Sequence, residues 1–76
     1  MLKSSIEFSL LSQREREIFE GLIKGLAYKE IATQFYISVN TVKTHTKSIY
    51  SKLGIKNRIE LLTLFAEQNL HNHPQG

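Results

Sequence analysis

The fold is decided by residues 37–45, whose sequence is Ile-Ser-Val-Asn-Thr-Val-Lys-Thr-His. The Ser38 hydroxyl can accept a hydrogen bond from a free backbone N–H of a first helical turn, which makes it a good N-cap. Ile37 and Val42 occupy the two positions of a hydrophobic staple around that cap. Gly54 favours the left-handed conformation that ends a helix. These signals predict a helix over about residues 39–53.

The predicted helix has one apolar side and one polar side. At about 100° per residue, one stripe is formed by Val42, Thr46, Ile49 and Leu53. The opposite side carries small polar and basic residues: Asn40, Thr44, Lys47 and Ser51, with Lys43 and Ser48 on its flanks. Such a helix buries one side and offers hydrogen-bonding groups on the other, and it would fit the major groove of DNA.

Two further helices precede this one. Ser12 and Glu15 have the spacing of a capping box, and the helical period that follows predicts a first helix over about residues 13–24. A short second helix is predicted over about residues 28–35, with Ile31, Ala32 and Phe35 inward. Ala27 stands at its N-cap position, and a start without a capping side chain costs about 1 kcal/mol.

Only three residues separate the second helix from the third, which is typical of a helix-turn-helix. Asn57 and Glu60 then mark the start of a fourth helix over about residues 58–70.

The fold class predicted is all-α, a compact four-helix bundle containing the helix-turn-helix. The domain would span residues 11–70, preceded by an arm or linker remnant over 1–10 and followed by a flexible tail over 71–76. Ile6, Phe8 and Leu10 alternate, which suggests an extended arm.

The fourth helix has more apolar surface than one contact with a core requires. The pattern predicts that Ile59, Leu62 and Ala66 face inward and that Leu61 and Leu64 are exposed. Exposed leucines at this spacing suggest a partner surface. The candidate dimer interface therefore contains four residues: Leu61, Leu64, Phe65 and Gln68. The alternative is that the leucines cover the amino-terminal arm.

Chain length, cysteine content and charge limit the functions that the chain could have. The 76 residues are enough for one domain, and they contain no cysteine that could form a disulfide or a cysteine zinc site. The net charge is +3, but residues 29–58 alone carry six lysines and arginines against Glu30, a balance of +5. A clustered basic surface is typical of nucleic-acid binding, although it also describes an ordinary solvated face.

Other classes of function find little support in the residues. The chain has no glycine-rich phosphate loop and no evident catalytic constellation, so we expect no enzyme and no cofactor. We also expect no metal site, because His71 and His73 have metal-binding spacing but no third ligand. No apolar run is long enough for a membrane span and no signal peptide is evident, which favours a cytoplasmic location without a membrane partner.

Four blocks in order resemble the DNA-binding domain of the LuxR/GerE family over about residues 10–70. These blocks are LSQREREI at 11–18, GLAYKEIA at 25–32, ISVNTVKTH at 37–45 and KLGIKNR at 52–58. The resemblance implies a four-helix bundle whose second and third helices bind DNA and whose fourth commonly forms a dimer. The chain departs from the family pattern at Ala27, where a small polar cap is usual, and at Tyr28, where Asn is frequent.

The resemblance also implies roles for particular residues. Lys43, Thr44 and Lys47 match positions that reach base edges, and Asn40 shares their face. The implied phosphate contacts are five: Lys29, Ser38, Thr41, His45 and Lys52. Some alternatives stay open at this point. The Thr44 methyl could touch a thymine methyl, or the residue could simply be small enough for docking, and His45 could be a half-buried structural residue.

The expected partners are double-stranded DNA and a second copy of the chain, with RNA polymerase as a further candidate. The resemblance leaves open a stand-alone regulator or the output domain of a response regulator. The rival function is a protein-interaction module whose basic face meets an acidic partner. A protein interface would more commonly show aromatic side chains on that face. Across the bundle, Glu15 and Arg58 are predicted to form an ion pair.

Overall fold

The computed structural model describes residues 8–72 of the chain, in which four helices follow a short 3₁₀ helix at Phe8–Leu10. They are α1 (Gln13–Ile23), α2 (Tyr28–Phe35), α3 (Val39–Leu53) and α4 (Arg58–Asn72). The all-α prediction is confirmed, and no strand occurs within residues 8–72. The predicted bounds of α2 and α3 are confirmed, whereas α1 ends one residue earlier and α4 two residues later than predicted.

The helix starts are held by the predicted caps. The Ser12 hydroxyl accepts a bond from the Glu15 N–H at 3.2 Å, and the Glu15 carboxylate accepts one from the Ser12 N–H at 2.9 Å. At α3 the Ser38 hydroxyl accepts from the Thr41 N–H at 3.0 Å. Ala27 offers α2 no side-chain cap, but its own N–H donates to the Glu30 carboxylate at 2.8 Å. One of the two bonds of a capping box is therefore present at the start of α2, although Ala27 has no polar side chain.

The core lies where α1 packs against α3 and α4, with α2 packed on α3. Its fully buried side chains are drawn from all four helices: Ile18, Phe19, Leu22, Ile31, Val42, Ile49 and Leu61. Gly21 lies inside α1 at a close approach to α2, where an added Cβ would be 2.9 Å from the Ile31 Cγ1. Glycine at this position leaves room for the Ile31 side chain of α2 against α1.

The turn between α2 and α3 is built around a residue in the left-handed conformation. Tyr36 has φ 57° and ψ 44°, and its N–H donates to the Thr33 carbonyl at 3.3 Å. The next N–H, that of Ile37, reaches back to the Ala32 carbonyl at 3.0 Å. These bonds turn the half-buried Ile37 towards the core and leave Tyr36 95% exposed. The second helix is thereby stopped within one residue and the third begins in a new direction.

The predicted orientation of α4 is wrong. Leu61 is fully buried, Leu64 and Phe65 pack partly buried against the core, and Ile59 is 75% exposed. Because apolar residues occur on nearly every side of α4, their period does not determine which side faces inward. Contact with α1 determines it instead, since the Phe65 ring meets the Phe19 ring edge-on with centroids 6.2 Å apart.

The extended arm is also wrong for residues 8–10. The Leu11 N–H donates to the Phe8 carbonyl at 3.0 Å, which closes a 3₁₀ turn and brings the Phe8 ring edge-on to Phe19 at 5.1 Å. The rest of the proposed arm, including Ile6, lies outside the described residues. Residues 71 and 72, which the sequence analysis assigns to the tail, belong to α4, and residues 73–76 lie outside the described part. Within residues 8–72, no helix is both long and apolar enough to cross a membrane.

Candidate nucleic-acid interface

The predicted base-reading residues lie together on the exposed side of α3. Asn40, Lys43, Thr44 and Lys47 are all exposed, whereas Val42 on the opposite side is fully buried. The Thr44 hydroxyl donates to the Asn40 carbonyl at 3.1 Å, which satisfies its donor within the helix and leaves the methyl group for a ligand. Neither lysine forms an ion pair with any residue between 8 and 72.

The amino-terminal ends of α2 and α3 carry further candidates. The Ser38 and Thr41 hydroxyls are 2.9 Å apart beside the first turn of α3. Lys29 is exposed in the first turn of α2. Helix amino termini present unpaired N–H groups and a partial positive charge, so both ends suit the binding of phosphate oxygens. His45 is half-buried, and its side chain forms no hydrogen bond with the described residues.

Lys52, the remaining candidate for a phosphate contact, is already engaged. Its ammonium lies 2.8 Å from the Glu15 Oε1, and the Ser48 hydroxyl donates to the Glu15 Oε2 at 2.6 Å. The Glu15 residue itself is only 6% exposed. Burial alone would raise the pKa of this carboxyl, but the bonds from Lys52, Ser48 and the Ser12 N–H together lower its pKa to about 2.

The predicted ion pair between Glu15 and Arg58 is therefore wrong. The Arg58 Nη1 donates instead to the Leu26 carbonyl at 2.8 Å, and its guanidinium lies over the Tyr28 ring, 5.4 Å from the centroid. This contact joins the start of α4 to the start of α2. The Tyr50 hydroxyl is buried near Arg58 and Tyr28 but forms no hydrogen bond with the described residues. Its burial raises the pKa of Tyr50, and the neighbouring Tyr28 raises it further.

On α4 the structure separates the candidate dimer residues. Leu61 is fully buried in the core and cannot contact a partner without unfolding. Leu64, Phe65 and Gln68 are half-buried, and Leu64 lines an open groove of about 310 Å³ whose other lining residues include Ile55, Ile59 and Thr63. Among the large apolar side chains that the structure describes on this helix, Ile59 is exposed, contrary to the sequence prediction that it faces inward.

Three features of this surface escaped the sequence patterns. Ser48 is bound to Glu15 across 33 positions, and no spacing rule connects residues so far apart. Tyr36 adopts a positive φ that is rare outside glycine and Asn, and Tyr at that position gives no signal of it. The exposure of Ile59 follows from α1–α4 packing, not from local sequence. Among the side chains that the structure describes, no three potential metal ligands form a cluster, and the side chains of His71 and His73 are not among those described.

Comparisons with known proteins agree with this geometry. Residues 9–65 match the family described as bacterial regulatory proteins, luxR family. The CsgBAC operon transcriptional regulatory protein of Escherichia coli (strain K12) is 42% identical over 67 residues, which is 88% of this chain and 31% of that protein. The oxygen regulatory protein NreC of Staphylococcus aureus (strain bovine RF122 / ET3-1) is 40% identical over 67 residues, with the same coverage of each chain.

Among solved structures, full-length FixJ from B. japonicum matches with a TM-score of 0.74 and 34% sequence identity. The match covers 82% of this chain and 30% of FixJ. The chain thus spans about a third of the length of these relatives. The helix-turn-helix, the exposed polar face of α3 and the match over residues 9–65 lead to one conclusion: the chain belongs to the luxR family of bacterial regulatory proteins, as a helix-turn-helix DNA-binding domain.

Proposed function

We propose that the chain binds double-stranded DNA sequence-specifically by inserting α3 into the major groove, and that it regulates transcription as a homodimer. The observation that carries this proposal is the exposed face of α3. Lys43 and Lys47 are one helical turn apart on it and have no ion-pair partner among the described residues. A lysine ammonium can donate to guanine O6 and N7, and such contacts discriminate between bases by about 1–3 kcal/mol.

Contacts with phosphates would fix the position of α3 in the groove. Lys29 at the start of α2 and the Ser38 and Thr41 hydroxyls at the start of α3 are the proposed contacts, with His45 at the edge of the buried side. Such contacts determine register and orientation but carry no sequence information. Lys52 differs from them because its ammonium is already paired with Glu15.

Pairing of two copies is proposed through α4, with Ile59 in place of Leu61 at its centre. Ile59 is 75% exposed beside the groove lined by Ile55, Thr63 and Leu64. Two paired copies would read two half-sites, whose spacing follows from the geometry of the pair. A regulator of this kind acts on the chromosome, which places it in the cytoplasm of a bacterium, where RNA polymerase is a further proposed partner.

The rival function, binding of an acidic protein by the same face, finds less support. The exposed positions of α3 carry small polar and basic side chains: Asn40, Lys43, Thr44, Lys47 and Ser51. Protein interfaces are enriched in aromatic residues at their centre, and this face has none. Its side chains instead match the donors and acceptors of base edges and phosphates.

The deciding experiment selects bound duplexes from a pool of random sequence and then compares Lys47→Ala with the wild-type chain. We expect the wild type to enrich one motif and Lys47→Ala to lose about 1–3 kcal/mol of discrimination between that motif and other duplexes. Lys56→Ala is the matched control, because it removes the same charge from an exposed position outside α3.

Two results would count against the proposal. If Lys47→Ala weakened binding to every duplex by the same factor, Lys47 would be a phosphate contact and not a base contact. If the wild-type chain enriched no motif, sequence-specific binding itself would be excluded.

A further inference from the structure

We propose that Glu15 is an internal counterion that withholds the charge of Lys52 from DNA and thereby limits the sequence-independent part of binding. This inference rests on the proposed function, since it concerns which cations of the domain reach phosphates. The resemblance implies that Lys52 contacts phosphate. Its ammonium instead pairs with Glu15, and we infer that it does not contact DNA.

The carboxylate that holds Lys52 is fixed in place. Its Oε1 takes the Lys52 ammonium at 2.8 Å and the Ser12 N–H at 2.9 Å, and its Oε2 takes the Ser48 hydroxyl at 2.6 Å. The Glu15 side chain is 8% exposed and that of Lys52 is 39% exposed. A pair sheltered from water on one side is screened by salt much less than a pair on the open surface.

The position of Lys52 on α3 also supports the counterion role of Glu15. At about 100° per residue, Lys52 lies about 120° around the helix from Asn40, whereas Lys43 and Lys47 lie within about 60° of it. Ser48 and Lys52 are one turn apart and both bind Glu15 of α1. The contact with Glu15 therefore holds the Lys52 ammonium on the α1 side of α3, away from the proposed groove.

Moving Lys52 onto a phosphate would leave the Glu15 carboxylate buried without a cation. Breaking a buried pair in this way is strongly unfavourable, because the remaining charge has lost both its partner and its water. Each lysine that does neutralise a phosphate steepens the dependence of log K on log salt by about 0.9. The salt dependence of binding therefore measures whether Lys52 takes part.

The test measures binding to a short duplex of random sequence between about 50 and 200 mM salt. Glu15→Gln removes the negative charge. It keeps one oxygen that can accept from the Ser12 N–H, and its amide N–H can donate to the Ser48 hydroxyl. We expect its slope to steepen by up to about 0.9, with affinity for the random duplex raised up to about eightfold near 0.1 M salt. Lys52→Met should leave the slope unchanged.

The matched control is Glu17→Gln, which raises the net charge by the same unit. Glu17 lies on α1 and pairs with Arg14 at 3.3 Å, with its side chain 36% exposed, and it makes no contact with Lys52. Its slope should equal that of the wild type. Helical content and melting of each variant show that the fold is kept. Glu15→Gln leaves no unpaired buried charge, so it tests the proposal even where Lys52→Met is too unstable to measure.

The outcomes separate the two proposals. A slope reduced by about 0.9 in Lys52→Met would make Lys52 a phosphate contact and overturn the counterion role, with DNA binding intact. Equal slopes in Glu15→Gln and Glu17→Gln would overturn it as well, because net charge alone would explain both. Failure of the wild-type chain to bind any duplex would overturn the proposed function itself.

Discussion

Glu15 is a buried charged residue, and glutamate side chains are seldom buried in folded proteins. Its carboxylate is tolerated because three donors surround it: the Lys52 ammonium, the Ser48 hydroxyl and the Ser12 N–H. The same donors favour the ionised form more strongly than burial disfavours it, which is why its pKa falls to about 2. The charge state of this single residue therefore bears on the stability of the whole domain.

Acid should remove that contribution in a defined range. The pKa of Glu15 is lower in the folded chain, at about 2, than its ordinary value of 4.5, so the unfolded chain binds its proton first as pH falls. The stabilisation, about 3 kcal/mol at most, is present above pH 4.5 and is lost as pH falls towards 2. Urea unfolding followed by circular dichroism across this range measures the loss.

Glu15→Gln provides the comparison for acid unfolding. It should be less stable than the wild type at neutral pH, and the difference in free energy of unfolding should shrink as pH falls towards 2. Glu17→Gln, at a half-buried position on the same helix, should track the wild type. If the difference in free energy of unfolding between the wild type and Glu15→Gln stayed constant with pH, the pKa of Glu15 would not be lowered by folding.

At the scale of a residue, local patterns predict local partners. The spacing of Ser12 and Glu15 identified the capping box, and the structure has both of its bonds. The spacing could not identify Lys52, which lies 37 positions away and meets Glu15 only after α1 and α3 have packed. Arg58 has the same charge, but its guanidinium is held elsewhere by the Leu26 carbonyl.

At the scale of an element, a helix can be oriented from its sequence when its apolar stripe is narrow. The stripe of α3 contains Val42 and Ile49, both fully buried as predicted, and the rest of the helix is polar enough to exclude other orientations. In α4 the apolar residues surround the axis. Several orientations then bury similar area, and the fit of Leu61 and Phe65 against α1 selects among them.

The turn between α2 and α3 leads to a prediction about stability. Tyr36 adopts φ 57°, a conformation that costs a residue with a Cβ about 1 kcal/mol, and its exposed ring offers little in return. Tyr36→Gly should therefore raise the free energy of unfolding by up to about 1 kcal/mol, less the larger entropy of glycine in the unfolded chain. Chemical denaturation measures the change.

Tyr36→Ala is the matched control for the turn, because it removes the ring but keeps the Cβ that causes the strain. It should be no more stable than the wild type. Equal stabilisation by Gly and Ala would show that the exposed ring, and not the backbone conformation, sets the stability of the turn.

At the scale of the whole molecule, the proposed pairing would use a surface that the fold leaves exposed. Ile59 is 75% exposed, so Ile59→Glu should leave the melting temperature nearly unchanged while preventing α4 of one copy from packing on α4 of another. On a duplex with two half-sites, we expect this variant to bind each half-site independently. Sedimentation and titration of one-site and two-site duplexes measure pairing.

Two variants keep this test specific. Gln34→Glu adds the same charge at an exposed position of α2 and should pair as the wild type does. Leu61→Glu should lose its helical fold altogether, since Leu61 is fully buried. Cooperative two-site binding by Ile59→Glu would place the dimer surface away from this part of α4.

The contacts of Arg58 physically connect the start of α4 to the start of α2. Arg58 precedes Ile59 in the chain, and its guanidinium holds the Leu26 carbonyl and the Tyr28 ring at the start of α2, next to Lys29. Coupling free energies between binding sites are reciprocal. If the coupling free energy through this contact is favourable, pairing strengthens phosphate binding and phosphate binding strengthens pairing, by the same factor. Occupancy of an operator would then rise more steeply with concentration than either event alone would allow.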